Sequence, residues 1–428
     1  MFHFPVSRRL SKMKLYIDPG TGSMLFTILI GLIGALGFAA RAMWTKIKFR
    51  ITGGKAREEK TEIPFVIFSD DKRYWQVFEP VCRELERREF NTVYMTSSPD
   101  DPALSCGYEH VKGEFIGEGN HAFAKLNYIE ATLLLSTTPG LDVYQWKRSK
   151  KVRYYVHMLH CASESTFYRM FALDFYDAVL LSGDYQAEDL RELEALRGEK
   201  AKELVLTGIP YMDEMVSRLN REKAERDPGK EKRTTVLVAP SWGQSSIFNR
   251  FGGRIISVLC GAGYRVIVRP HPQSYKSETE LIESLKRDFP ESDTLEWNRD
   301  NDNFDVLRRS DILISDFSGI IFDFSLVFDK PVIYADTTFD RSPYDCWWLK
   351  RDELWTFGAL PRLGEQVTEE NLEKLPEIIE SCINDPKYAK SREDIRSETW
   401  AYRGEGAVRV ADYITNKYAE LTGEKEAE

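Results

Sequence analysis

From Ile63 onward, short continuous apolar runs alternate with stretches in which apolar residues recur at helical spacing. Ile63–Phe68, Asn91–Thr96, Ala131–Ser136, Val152–Leu159, Ala178–Ser182 and Glu203–Gly208 read as the strands of a first domain, and a helical pattern runs from Trp75 to Arg88. Strands that are apolar throughout are buried on both faces, and strands separated by helices pair in parallel. Thr235–Ala239, Arg265–Arg269, a weak strand at Leu295–Trp297 and two further strands repeat the arrangement. The pattern predicts an α/β fold of two doubly wound parallel sheets facing a cleft. The expected bounds are an N-terminal segment over 1–52, a first domain over 53–219, a charge-rich connection over 220–234 and a second domain over 235–428. Helices between Glu370 and Leu421 should pack back across the domains.

The most informative unit of the second domain runs from Asp311 to Tyr334. Asp311–Ile314 reads as a buried strand, Ser315-Asp316-Phe317-Ser318-Gly319 as a polar turn, and Ile320–Phe328 as a buried helix ended by Asp329-Lys330-Pro331. Open parallel sheets bind ligands outside the carboxyl ends of their strands. A helix beginning there offers amide N–H groups and a positive dipole end, to which Ser315 and Ser318 could add hydroxyl donors for a phosphate. Asp316 repels phosphate and instead caps the helix, orients a neighbour or accepts from a ribose hydroxyl. The same residue types also cap ordinary crossover helices.

One segment departs from this soluble patterning. No charge occurs between Pro19 and Ala40, a length that spans a bilayer as a helix. Seven positive residues follow within Arg41–Lys60, against four before the run (Arg8, Arg9, Lys12 and Lys14). The expectation is a single-pass anchor over about 19–44, with the large C-terminal part on the cytoplasmic side of the cell membrane. The basic start and the small residues Ala39, Ala40 and Ala42 also suit a signal peptide, but the long apolar run and the basic flank favour an anchor.

The net charge of −9 argues against nucleic-acid binding. Six scattered cysteines suit a reducing compartment and buried packing, with Cys161 singled out beside His160. No metal signature is present, although a loosely bound divalent cation at a phosphate is compatible with the sequence. Of six histidines, His271 lies in Arg269-Pro270-His271-Pro272 after a buried strand, where Arg269 and His271 could place cationic donors on a diphosphate. His157 and His160 end the Val152–Leu159 strand, so alternation sends one to the core and the other to the cleft. His160 is the better candidate for a general base. A structural role for the pair is equally consistent with these residues alone. Ala239-Pro240-Ser241-Trp242 forms a third polar strand end, with Ser241 a candidate for phosphate.

Taken in order, Ala-Pro-Ser-Trp (239–242), Arg-Pro-His-Pro (269–272), Ser-Asp-Phe-Ser-Gly (315–319), Phe322-Asp323 and Lys330-Pro331 resemble the CDP-glycerol glycerophosphotransferase family of teichoic acid synthesis. Leu159-His160 and Tyr176-Asp177 resemble its earlier histidine segment, and the likeness covers roughly residues 150 to 415. The resemblance implies a GT-B fold, a CDP-glycerol donor held mainly by the second domain, and transfer of glycerol phosphate to a membrane-associated glycan or glycerophosphate acceptor with release of CMP. It implies His160 as base, Arg269 and His271 on the diphosphate, Ser315, Ser318 and Gly319 as donors, and Asp316 orienting the donor. The chain departs from the family at Cys161, Ser163-Glu164-Ser165 and Gly243, where Gly, Lys and Arg are usual. Two other readings fit the same pattern: a GT-B nucleotide-sugar glycosyltransferase, and a non-catalytic membrane scaffold with a degenerate cleft.

Overall fold

A computed structural model of the chain describes residues 62–223 and 233–423. The expected anchor at 19–44 and most of the charged connection lie outside the described residues. Among the described residues no helix is long and apolar enough to cross a membrane.

Among the described residues thirteen strands fall into two sheets, and every strand pairing is parallel. The first holds β1 (Ile63–Ser69), β2 (Thr92–Thr96), β3 (Val111–Phe115), β4 (Ala131–Ser136), β5 (Val152–Met158), β6 (Ala178–Leu181) and β7 (Glu203–Leu206), in the order β3-β2-β1-β4-β5-β6-β7. The second holds β8 (Thr235–Val238), β9 (Arg265–Val268), β10 (Leu295–Trp297), β11 (Ile312–Ser315), β12 (Val332–Ala335) and β13 (Gly364–Val367), in the order β10-β9-β8-β11-β12-β13. All residues of β4, β8 and β11 are buried, as strands covered on both faces must be. In each sheet the chain builds outward from one strand and then reverses across it. The reversal lies between β1 and β4 in one sheet and between β8 and β11 in the other. Those two points are where an α/β crevice opens.

The helix after β11 begins at Ile320, as the sequence pattern indicated, but widens into a π turn over Asp323–Val327. One apolar cluster runs through the helices between the sheets, joining Leu133 and Val156 of the first to Leu237 and Leu313 of the second. The last helix, Gly406–Thr422, returns to the first sheet's side. Asp213 fixes its start by accepting from the amides of Gly404 (2.7 Å) and Gly406 (2.9 Å) and from the indole N–H of Trp400 (2.9 Å). A side chain at Gly406 would come within 2.7 Å of that carboxylate, so the crossing needs glycine there. Arg88 pairs with Asp412 at 2.7 Å farther along the same helix.

Candidate active site

The loops at the carboxyl ends of the strands enclose two adjoining cavities. One, of about 300 Å3, is bordered by charged and amide groups, among them Arg73, His160, Arg269, Asn303 and Asp323. The other, of about 380 Å3, is walled by aromatic rings, among them Tyr144, Tyr168, Trp242, Phe317 and Tyr344. Ser163, His271, Ser318 and Gly319 border both.

β5 separates its two histidines as alternation requires. His157 is fully buried between Tyr168 and Tyr176, with ring centroids 5.7 and 4.9 Å away, and neither ring nitrogen has a partner. Burial pushes its pKa down to about 3, so it is neutral packing. His160 borders the polar cavity, with Tyr74 edge-on at 5.3 Å. Its Nδ1 lies 2.6 Å from the Thr137 hydroxyl, which follows β4, and burial lowers its pKa to about 4. When Nδ1 carries the proton and donates it to Thr137, Nε2 is left as an unprotonated base.

His271 is wired the other way. Its Nδ1 accepts the Gln273 amide at 3.1 Å, so the neutral ring carries its proton on Nε2. Burial first, then the nearby Arg73 and Arg269 charges, lower its pKa to about 4. The expectation of two cationic donors from this loop is therefore corrected: His271 is a neutral N–H donor. Arg269 is committed as well. It donates to Asn298, to the Asp300 carbonyl (2.8 Å) and to Asn303 Oδ1 (2.6 Å), which braces the loop after β10. These acceptors are all neutral, so its charge still acts on the cavity it borders.

Two further expectations change. Ser315 is fully buried and donates to the Ala239 carbonyl at 2.6 Å, so its hydroxyl ties the ends of β8 and β11 together and is not available to phosphate. Asp316, also buried, accepts the amides of Ser241 (2.9 Å), Ile247 (3.0 Å) and Phe317 (2.8 Å). Every one of these contacts is internal, so Asp316 shapes the Ser241 loop and does not reach a ribose. Ser241 borders the aromatic cavity, with its hydroxyl buried beside the Asp316 carboxylate. Ser318 and Gly319 stand at the cavity junction, where the helix starts, and their carbonyls accept the amides of Ile321 (3.1 Å) and Phe322 (3.0 Å). A Cβ on Gly319 would meet Cys161 and Ser163 at 3.5–3.6 Å, an ordinary van der Waals contact, so the two sheets' loops meet there.

Two residues at this site take their place from the fold: Arg73, which carries no motif, and Asp323, of the Phe322-Asp323 pair. Arg73, held by Asp71 through bonds of 2.8 and 2.9 Å, lies after β1 at the reversal point of the first sheet. The strand order would have located it. Asp323 sits in the π turn, with one carboxylate oxygen buried without a partner, and burial raises its pKa to about 7. A π turn inside a buried helix is itself a frequent functional marker. Cys161 shares a 2.9 Å hydrogen bond with Ser163, and burial raises its pKa, which disfavours the thiolate a nucleophile needs. Among the described residues no group of three or more His, Cys, Asp or Glu side chains could hold a metal.

Comparison with known proteins bears on the family and the fold. The profile of the family described as CDP-Glycerol:Poly(glycerophosphate) glycerophosphotransferase matches residues 172–416, more than half of the chain. A teichoic acid glycerol-phosphate primase of Bacillus spizizenii W23 is 23% identical over 235 residues, covering 51% of this chain and 56% of the relative. The chain thus spans about half the length of that curated relative. Among solved structures, the wall teichoic acid polymerase TagF soaked with CDPG superposes with a TM-score of 0.55 at 12% identity, covering 89% of this chain and 98% of that one. The S. aureus MnaA–UDP structure gives 0.54 at 13% identity, with coverage of 86% and 100%. At such identities the structural likeness establishes the fold, two parallel sheets arranged as in GT-B enzymes.

Proposed function

Because the chain belongs to the CDP-glycerol:poly(glycerophosphate) glycerophosphotransferase family, we propose that it transfers glycerol phosphate, or a similar polyol phosphate, from CDP-glycerol to an acceptor hydroxyl in the synthesis of a teichoic-acid-like surface polymer. One observation carries the reading: histidines from opposite sheets border one polar cavity, His271 with Nδ1 committed to the Gln273 amide and His160 with Nδ1 on the Thr137 hydroxyl, which can accept its proton and free Nε2 as a base.

The acceptor oxygen attacks the phosphorus that bears glycerol, and His160 Nε2 takes the proton from the attacking hydroxyl. The bond from that phosphorus to the bridging oxygen breaks, and CMP leaves with the electron pair. The Nε2–H of His271 and the amides at Ser318-Gly319 meet the charge that gathers on the phosphate oxygens, with the Arg269 field behind them. Asp323 accepts from hydroxyls of the donor. On this assignment Asp323→Asn raises KM for CDP-glycerol about tenfold, the worth of one hydrogen bond to a charged group. An unchanged KM would remove Asp323 from the donor site. A divalent cation arriving with the diphosphate is compatible with these steps.

The charge asymmetry around residues 19–40 supports a single-pass anchor that holds the catalytic unit on the cytoplasmic side. Protease treatment of sealed inside-out vesicles should degrade the unit, whereas protection there would reverse the orientation. The decisive assay incubates detergent-solubilised protein with CDP-glycerol and a membrane lipid extract. CMP that depends on the extract supports the reading. Release of a nucleoside diphosphate from a nucleotide sugar instead would make the enzyme a glycosyltransferase, and no turnover with any donor would favour the scaffold.

A further inference from the structure

The polar cavity takes a diphosphate in the proposed reaction, yet the second sheet offers it little uncommitted charge. His271 is neutral, and both terminal nitrogens of Arg269 already donate to Asn298, Asn303 and the Asp300 carbonyl. Arg73 is the other guanidinium at the border, and it comes from the first sheet. Its Nε and Nη2 donate to the Asp71 carboxylate at 2.8 and 2.9 Å, while Nη1 has no partner among the described residues. A guanidinium is a rigid fork, so fixing one edge on a carboxylate aims the other. Although burial works against it, the bonds from Arg73 keep the Asp71 carboxyl below the usual carboxylate range. Asp71 is thus ionised at neutral pH, and the clamp holds.

The turn that carries Arg73 is braced at several points. The Ser69 hydroxyl donates to the Asp71 carbonyl at 2.8 Å, the Lys72 amide to the Ser98 hydroxyl at 2.9 Å, and the Arg73 amide to Asp71 Oδ1 at 3.1 Å. The same turn is tied to the base. Thr138 donates to Asp70 at 2.9 Å, its neighbour Thr137 holds His160, and the Tyr74 ring lies edge-on to the His160 ring. The ends of β1 and β4, where the first sheet reverses, therefore set the guanidinium and the imidazole as one unit. His271 borders the same cavity, and after burial it is the Arg73 charge that lowers the pKa of its ring most. Only a nearby group exerts such a field.

We propose that Arg73 is a catalytic residue whose Nη1 hydrogens meet the non-bridging oxygens of the phosphorus under attack, from the side on which His160 stands. The inference deepens the proposed transfer and rests on it. The acceptor oxygen bonds to that phosphorus as His160 takes its proton, the bond to the bridging oxygen breaks, and CMP leaves with the electron pair. At the transition state the attacking and leaving oxygens stand in line, and the non-bridging oxygens flatten into the plane between them. A donor fixed beside the base reaches that plane from the attacking side, so its contact tightens as the new bond forms. The groups of the second sheet can hold CDP-glycerol without it.

The test uses the full chain in detergent with the membrane lipid extract. It follows CMP formation in a single turnover, CDP-glycerol binding by isothermal titration, and folding by thermal melts. Arg73→Ala should lower the rate constant by about 10²-fold or more, the size of a lost transition-state donor. The Kd for CDP-glycerol should move by less than about threefold, with the melt unchanged. Arg73→Lys should lie between, because it keeps the charge and loses the fork. Added guanidinium ion, at a concentration that leaves the wild type unaffected, should speed Arg73→Ala about tenfold and do nothing for His160→Ala. A role in packing alone would not respond to it. Turnover of Arg73→Ala within about threefold of wild type, a loss confined to donor binding, or rescue by neither guanidinium nor Arg73→Lys overturns the assignment and leaves the transfer reading intact. No CMP from the wild type removes that reading, and the assignment with it.

Discussion

The ends of β5 and β9 each deliver a histidine to one cavity, and the two rings differ in what touches Nδ1. At the end of β5 the neighbour is a hydroxyl, Thr137, which can accept the Nδ1 proton and leave Nε2 basic. At the end of β9 it is the amide of Gln273, which can only donate, so Nε2 must carry the proton. Burial keeps both rings neutral, with pKa values near 4. A neutral imidazole can be a base or a donor: the amide fixes His271 as the donor, whereas the hydroxyl, able to donate or accept, lets His160 serve as the base. The difference therefore lies in the loops that buttress the histidines and not in the histidines themselves.

The largest test of that contrast is removal of the base. His160→Ala should cut CMP formation by about 10²- to 10⁴-fold, the usual contribution of general-base catalysis, while CDP-glycerol still binds. Retained turnover would end the assignment. Because burial holds the free ring's pKa near 4, kcat/KM of Asp323→Asn, which lacks the carboxyl held near 7, should stay level from neutral pH down to about 5 and fall as pH drops through about 4. An acid limb at 6.5 in that variant would mean that the His160 ring titrates as if solvated. His271→Ala should cost about 10²- to 10³-fold, the size of a lost oxyanion-type donor. It should also weaken donor binding, which His160→Ala should not. Equal loss of binding in both variants would erase the distinction between them.

A smaller effect separates positioning from chemistry. Thr137→Val removes the partner of His160 Nδ1 and nothing else that reaches the cavity. Turnover should fall roughly tenfold at constant KM, about one hydrogen bond's worth, and Thr137→Ser should restore it. A rise in KM, or failure of serine to rescue, would show that Thr137 acts through packing.

Much of this wiring was legible in the sequence, and the gaps have physical causes. The core strands were visible because both faces of a parallel strand are buried and so read as unbroken apolar runs. The edge strands β3 and β13 were not, because each has one open side and contains a glycine in close contact. A side chain at Gly113 would lie 2.2 Å from the Ala103 carbonyl, and one at Gly364 only 1.9 Å from that of Val332. Glycine and charge at such places disguise a strand. Within the site, strand-end motifs located His160, His271, Ser318 and Gly319, because residue type and position are sequence properties. The direction of a side chain is not. Ser315 and Asp316 look like ligand groups in the string Ser-Asp-Phe-Ser-Gly, yet in the fold both turn inward to fasten the ends of β8 and β11. Arg73 depends on strand order, which no local pattern announces, and Asp323, though part of the Phe322-Asp323 pair, takes its position from a π turn.

The third histidine of the region sharpens the comparison by doing nothing in the cavity. His157 lies on β5, three residues before His160, but is sealed between two tyrosines with both nitrogens unpartnered. Its pKa is about 3 in the fold against 6.5 in the open chain, so above pH 6.5 it has no linkage effect. As pH falls below that value the unfolded chain takes up a proton that the folded one refuses. At pH 5 this destabilises the fold by about 2 kcal/mol. Phenylalanine fills nearly the same volume, needs no partners and cannot take up a proton. His157→Phe should therefore leave CMP formation within about twofold of wild type and lie within about 1 kcal/mol of its stability at pH 8. At pH 5 the variant should unfold later than wild type, as read from thermal melts at both values. If instead the substitution abolishes turnover while the melts match, a proton on His157 takes part in the reaction, and the division of β5 into one silent and one working histidine is wrong.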